Sequence, residues 1–133
     1  SHPDIFAAGD AARCMGKIWA IVPPAQAQAR VAAANMAGKE AIYDDVTPST
    51  SLKVVGIDVD SIGEVHTEDE EAFTEIRRVD TENDCYKKIV LQDNKIVGAI
   101  VVGDSGLAKE LNDRIKEAAS ITSDEAEALL SPA

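Results

Sequence analysis

The chain has few aromatic residues, few cysteines and little positive charge. Its 133 residues include two Phe, two Tyr, one Trp and two Cys. Cys14 and Cys85 lie far apart and form neither a C-x-x-C pair nor a metal-ligand spacing. We therefore expect two reduced, structural thiols, no disulfide redox chemistry, no metal site and a cytoplasmic protein.

Long apolar runs are also missing. No stretch approaches the roughly 20 apolar residues that a membrane-spanning helix needs, so no membrane role is expected. The 13 Lys and Arg are outnumbered by 24 Asp and Glu, which gives a net charge of −11. Because every phosphate contact needs a cation, this balance excludes nucleic acid as a partner.

The negative charge is unevenly distributed. Residues 1–40 sum to +1 and the remaining residues to −12. A polar segment, residues 43–49, contains Pro48 and separates a small-residue, Ala-rich region from one with strand periodicity. The sequence therefore predicts two parts, residues 1–46 and 47–133.

The first part opens on residues 4–10, with the letters DIFAAGD. Residues 5–8 are apolar on both faces, which predicts a strand buried on both sides of a parallel sheet. Gly9 allows a tight exit and a close approach to the backbone. Asp10 would then stand at the carboxyl end of the strand, where open α/β sheets bind ligands.

An Ala-rich segment follows after a loop. Pro23 and Pro24 precede residues 25–37, and Gly38 comes directly after them. Proline at the start and glycine just past the end predict a helix with both ends marked. Its N-terminus would present free N–H groups and a partial positive charge to an electron-rich group.

These residues, in this order, resemble the end of the FAD domain in the FAD-dependent pyridine nucleotide-disulfide oxidoreductase family, in the branch of NADH:rubredoxin reductase and NAD(P)H nitrite reductase. The family motif is Thr, a few residues, two apolar residues, Ala, any residue, Gly and Asp. The matching Thr would stand before Ser1. The resemblance therefore implies a piece of a longer oxidoreductase, whose FAD and NAD(P)H domains would be its missing partners.

The resemblance also assigns roles to individual residues. Gly9 and Asp10 match the family's contact with the ribityl chain of FAD. Pro24, Ala25 and Gln26 match the helix start that faces the N1/C2 carbonyl edge of the flavin ring. No Gly-x-Gly-x-x-Gly is present in these 133 residues. We therefore expect this chain alone to be inactive and to hold FAD poorly or not at all.

The second part has the pattern of an α+β domain. Strands are predicted over residues 51–59, 62–65 and 74–80, and a hairpin over 85–92 and 95–102 with Asp93 and Asn94 in its turn. Helices are predicted over residues 107–119 and 123–130, the second opening on the capping pattern that starts at Ser123. The fold class is therefore α+β: a remnant strand and helix, then a small antiparallel sheet with C-terminal helices.

Other motifs point more weakly to chemistry. Residues 103–106, GDSG, copy the letters around a serine-protease nucleophile, but a cap by Asp104 or Ser105 is favoured. Residues 58–63 resemble the start of an EF-hand loop without its full ligand set. His66 and Glu71 share the spacing of a catalytic pair in glutathione-reductase-like proteins, although a solvated acidic loop over residues 68–71 explains them better. That loop could also dock a basic redox partner.

Two hypotheses from different classes remain open. The first is the C-terminal fragment of an NAD(P)H-dependent flavoprotein oxidoreductase with a redox acceptor. The alternative is a non-enzymatic acidic α+β domain for interaction or homodimerisation. The fragment hypothesis expects residues 1–38 to expose apolar surface and associate.

Overall fold

The computed structural model describes residues 2–44, 46–67 and 71–131. The chain divides into two compact units, Ser1–Pro48 and Ser49–Ala133. The sequence placed its boundary two residues earlier, after Val46. That the first unit ends an FAD-binding domain stays a prediction.

The first unit contains one long helix. α1 spans Val22–Met36, with proline in its first turn. Gly38 follows at φ +73°, and Lys39 N–H donates to the Ala34 carbonyl at 2.9 Å, which closes the C-terminus. The predicted helix and both of its end signals are confirmed.

The predicted strand over residues 5–8 is wrong for this chain. The segment has no regular structure and leads into a 3-10 turn at Gly9–Ala11. Ile5 is 72% exposed and Phe6 41%. A strand of a parallel sheet needs hydrogen-bonded neighbours, and none of the described residues of this unit forms a strand beside it.

The second unit is built on a five-stranded antiparallel sheet. The strands are β1 (Ser49–Val54), β2 (Ile57–Gly63), β3 (Thr74–Asp80), β4 (Cys85–Gln92) and β5 (Lys95–Val102). Their spatial order is β1-β2-β5-β4-β3, with every neighbouring pair antiparallel. The α+β class, β3 and the β4–β5 hairpin are confirmed.

The predicted strands over residues 51–59 and 62–65 are both wrong, because the chain turns in the middle of the first and a single strand, β2, runs on to Gly63. Val55 (φ 50°) and Gly56 (φ 87°) form a two-residue hairpin loop between β1 and β2. Positive φ at both positions matches the right-handed twist of the flanking strands. A β-branched residue is unusual at such a φ. The apolar run that includes Val55 therefore predicts a continuous strand and not a turn.

Two helices pack on one face of the sheet. α2 spans Ser105–Glu117 and α3 spans Ser123–Leu130. Asp104 caps α2 by accepting from Leu107 N–H, as predicted, while Thr122, not Ser123, caps α3 in a capping box with Glu125. The buried core consists of Ile62, Ile89, Leu91, Ile96, Ala99, Val101, Leu107, Ala108, Leu111, Ile121, Ala126 and Leu130.

The residues of the weaker motifs lie in ordinary strands and connections of this fold. Residues 58–63 lie within β2, and their extended backbone is incompatible with an EF-hand loop. Residues 103–106 form the connection from β5 to α2. His66 lies exposed in the connection after β2, and residues 68–70 of the acidic run lie outside the described part of the chain.

Candidate functional site

Gly9 and the first turns of α1 are in direct contact. Gly9 N–H donates to the side-chain Oε1 of Gln28 at 2.8 Å. A Cβ built on Gly9 would lie 3.4 Å from the Ala25 Cβ, and Gly9 has φ +71°. Glycine therefore fits here for two reasons, a left-handed backbone and close packing against the helix.

Asp10 directly follows this contact and faces solvent. It lies in the 3-10 turn Gly9–Ala11 and is exposed. Within the described residues its carboxylate forms neither a hydrogen bond nor an ion pair. The structure thus brings three predicted site residues, Gly9, Asp10 and Ala25, into one small region.

The N-terminus of α1 has fewer free amide donors than the four of an ordinary helix, so the predicted set of free N–H groups is only partly present. Pro23 and Pro24 carry no amide hydrogen. Ala25 N–H donates to the Ile21 carbonyl at 3.4 Å. Of the first four helical residues, only Val22 keeps an amide hydrogen without a carbonyl acceptor in the described structure, so the attraction for negative charge rests mainly on the helix dipole.

The other predicted residues differ in accessibility. Pro24 is among the fully buried side chains, whereas Gln26 is exposed. Gln28 was missed by the sequence analysis and is only 7% exposed. It lies four residues from Pro24 on the same helix face, but nothing in the sequence marks that face as the buried one.

In the second unit, a buried lysine fastens the connection after β2 to the sheet. The Lys88 side chain is 11% exposed, and its Nζ donates to the Val65 carbonyl at 3.0 Å and to Glu75 Oε1 at 2.5 Å. The Thr67 hydroxyl donates to the same Glu75 oxygen at 3.0 Å. Chiefly because of the hydrogen bond from Lys88, the pKa of Glu75 lies below its ordinary value.

A second lysine, Lys87, pairs with the cap of α2. Its Nζ lies 2.8 Å from Asp104 Oδ2, while Asp104 Oδ1 accepts from Leu107 N–H at 3.0 Å. The hydrogen bond from Lys87, followed by the one from Leu107, lowers the pKa of Asp104. Both interactions are structural: they fix a connection and a helix start.

The described residues contain no group of three or more His, Cys, Asp or Glu side chains placed to hold a metal ion. Cys14 and Cys85 are both free and half-buried. None of the helices in the described ranges is long and apolar enough to cross a membrane.

A five-stranded antiparallel sheet with two helices on one face defines a small α+β domain, here preceded by a separate helical unit. Residues 48–119 match the family described as the rubredoxin NAD+ reductase C-terminal domain. The chain belongs to this family.

Curated relatives match nearly the whole chain. It is 37% identical over 131 residues to nitrite reductase [NAD(P)H] of Bacillus subtilis, covering 98% of this chain and 16% of that protein. It is 36% identical over 120 residues to NADH-rubredoxin oxidoreductase of Clostridium acetobutylicum, covering 90% of this chain and 31% of that protein. The chain therefore spans less than a third of the length of these relatives.

Solved structures agree with this match. The crystal structure of NADH:rubredoxin oxidoreductase from Clostridium acetobutylicum has a TM-score of 0.64 at 33% identity, over 85% of this chain and 29% of that one. An NAD-dependent persulfide reductase from A. fulgidus has a TM-score of 0.67 at 22% identity, over 96% of this chain and 27% of that one. The second likeness concerns the fold alone.

Proposed function

We propose that this chain is the C-terminal portion of an NAD(P)H-dependent flavoprotein oxidoreductase, in which Asp10 and the start of α1 contribute to an FAD site. The observation that carries the proposal is the contact of Gly9 with α1. The hydrogen bond from Gly9 N–H to Gln28 fixes the Gly-Asp turn against the helix. The proposed ribityl contact and the proposed ring contact are thereby held by one small piece of structure.

The residues present fit part of an FAD site. The carboxylate of Asp10 is exposed and can accept hydrogen bonds from the ribityl hydroxyls. Ala25 is small enough for a flat ring to approach the helix, and the dipole of α1 favours negative charge in front of it. Pro24 is fully buried, so it would act by shaping the helix start, and Ala25 and Gln26 would make the contacts.

Bound FAD would supply the hydride-accepting chemistry between NADH or NADPH and an acceptor. The rest of the site would come from a longer parent protein, because the relatives are more than three times as long as the matched region. A redox protein is the proposed acceptor class. NADH-rubredoxin oxidoreductase, named for such a partner, is among the relatives.

The test uses the longer protein encoded by the source gene. We expect it to purify with FAD and to oxidise NADH or NADPH. Asp10→Ala should lower the FAD content at least several-fold, because the exposed carboxylate loses its hydroxyl partners. The FAD absorbance per polypeptide, after dialysis against flavin-free buffer, measures the effect.

Asp4→Ala is the matched control, since Asp4 is another exposed carboxylate of the same segment and should leave the FAD content unchanged. Equal FAD content in the Asp10→Ala protein and the unmodified protein would contradict the proposed role of Asp10. A longer protein that binds no flavin would contradict the proposed function itself.

A further inference from the structure

One face of the sheet in the second unit carries an apolar row that the helices do not cover. Side chains alternate between the two faces along each strand. The core residues Ile62, Ile89 and Val101 face the helices, so residues an odd number of positions away on the same strands face the other way. The register pairs five residues of this other face directly across the sheet, in the order Leu52, Val59, Val102, Tyr86 and Val79.

This row, called here the apolar row, crosses all five strands and is about 19 Å long at the usual strand spacing. Leu52 is 56% exposed and Val79 63% at its two ends, and the three residues between them are half-buried. The water-facing side of an antiparallel sheet normally carries polar residues. A continuous apolar row on that side therefore marks a surface that becomes covered.

The hairpin loop beside the apolar row also indicates a surface that becomes covered. Val54 is 52% exposed, and Val55 is 97% exposed at φ 50°. A β-branched residue in the left-handed region is strained, and such strain persists where function requires it. An exposed, strained valine at the end of the apolar row extends the same surface.

The opposite end of this face is already covered. Lys88 holds Val65 over it, and Val65 is 8% exposed and Val90 fully buried. Glu64 N–H donates to the Val97 carbonyl at 2.9 Å, where Gly98 leaves room for the backbone. Within the described residues of the second unit, nothing covers the half of the face with the apolar row.

We infer that the apolar row and the hairpin loop dock onto the preceding part of the longer parent protein. This inference rests on the proposed function. It is favoured by the length of the relatives, of which this region makes up less than a third. A second copy is a less suitable occupant, because residues 49–133 hold 19 acidic and 9 basic side chains, a net charge of −10, and two such domains repel each other.

The test compares cysteine labelling in the 133-residue chain and in the longer source protein. Leu52→Cys and Val79→Cys introduce thiols at the two exposed ends of the row, and mass spectrometry separates them from Cys14 and Cys85. Glu117→Cys, at the exposed end of α2, is the control. We expect all three to react with maleimide in the chain, and the two row thiols to react at least tenfold more slowly in the longer protein, with no change at position 117.

Equal labelling at the row in both proteins, with FAD bound to the longer one, would overturn the docking and leave the proposed function intact. The row thiols could instead be protected already in the 133-residue chain, together with a dimer mass by light scattering. A second copy would then be the occupant, and the proposed docking onto the parent protein would be overturned. A source gene that encodes no preceding segment would overturn both the docking and the proposed function.

Discussion

The two units of this chain differ in how much they bury. Among the described residues of the first unit only Pro24 and Gln28 are buried, while Ile42 is 86% exposed and Met36 70%. The second unit encloses a core of twelve buried side chains between a sheet and two helices. Regular secondary structure therefore occurs in both units, but only the second has the packing that makes a domain stable by itself.

The difference has a direct bearing on function. The residues proposed to contact FAD lie in the unit without a core, and the unit with a core carries an unpartnered apolar row. Both features fit a piece whose remaining contacts come from a longer protein. The same comparison predicts that core substitutions will affect the second unit strongly and that matched surface changes will not.

The largest expected effect is that of Leu111→Ala. Leu111 is fully buried in α2 against the sheet, so its truncation should lower the free energy of unfolding by about 3 kcal/mol. Urea denaturation followed by circular dichroism measures the loss. Ile42→Ala, at an 86% exposed position, should change it by less than about 0.5 kcal/mol. Similar losses from both substitutions would remove the contrast between the units.

A smaller loss is expected from Gly98→Ala. The new Cβ would lie 1.8 Å from the Glu64 carbonyl oxygen, so the connection after β2 must shift, at a cost of about 2 kcal/mol. Gly106→Ala is the matched control, because its Cβ would meet nothing closer than 3.5 Å. Full stability of the Gly98→Ala protein would show that the close approach of Glu64 is absent in solution.

Lys88→Met tests the fastening of that same connection. The substitution keeps most of the side-chain volume but leaves the Val65 carbonyl and the Glu75 carboxylate without their cation, which should cost about 1 to 2 kcal/mol. Lys53→Met removes an exposed pair with Asp58, at 3.3 Å, in the same sheet, and should cost less than about 0.5 kcal/mol. Thermal denaturation of the two variants, compared with the unmodified chain, measures the loss. Equal decreases in the midpoint temperature would mean that Lys88 contributes no more to stability than a surface charge.

The smallest expected effect is a loss of folding stability at acidic pH. Hydrogen bonds from Lys88 and Lys87 lower the pKa values of Glu75 and Asp104 from their ordinary 4.5 and 3.8. A carboxyl whose folded pKa is lowered stabilises the fold above its ordinary pKa, and that contribution is lost as the pH falls through the folded value. The stability of the second unit should therefore decline below about pH 4.5, and Glu75→Gln should flatten part of the decline. Urea midpoints measured over a series of pH values for both proteins check this. The same decline in Glu75→Gln as in the unmodified chain would contradict the role of Glu75.

How far the sequence predicts the fold depends on where the determining contacts lie. The β4–β5 hairpin was predictable because Asp93 and Asn94 both tolerate positive φ, at 50° and 58°. The β1–β2 turn was missed because Val55 occupies a position that valine rarely adopts. The apolar pattern before Gly9 fits a strand, yet a strand also needs hydrogen-bonded neighbours that the described residues of this unit do not provide.

The candidate site was predictable in part. Gly9 and Ala25 follow from the resemblance and do lie together, whereas Gln28 reads as an ordinary polar helix residue until its buried contact with Gly9 is seen. The apolar row could not be read from single strands, because it depends on the register between five of them. Register depends on turn geometry and on which face of each strand is buried, and the β1–β2 turn was not recognised in the sequence.

Amide hydrogen exchange of the 133-residue chain, followed by mass spectrometry, compares directly how well the two units protect their hydrogen bonds. We expect α1, Val22–Met36, to exchange orders of magnitude faster than β4 and β5, because among the described residues only those of the second unit form a core that protects its hydrogen bonds. Protection of α1 equal to that of β4 and β5 in a monomer would contradict this expectation, since the first unit would then be complete without any longer protein.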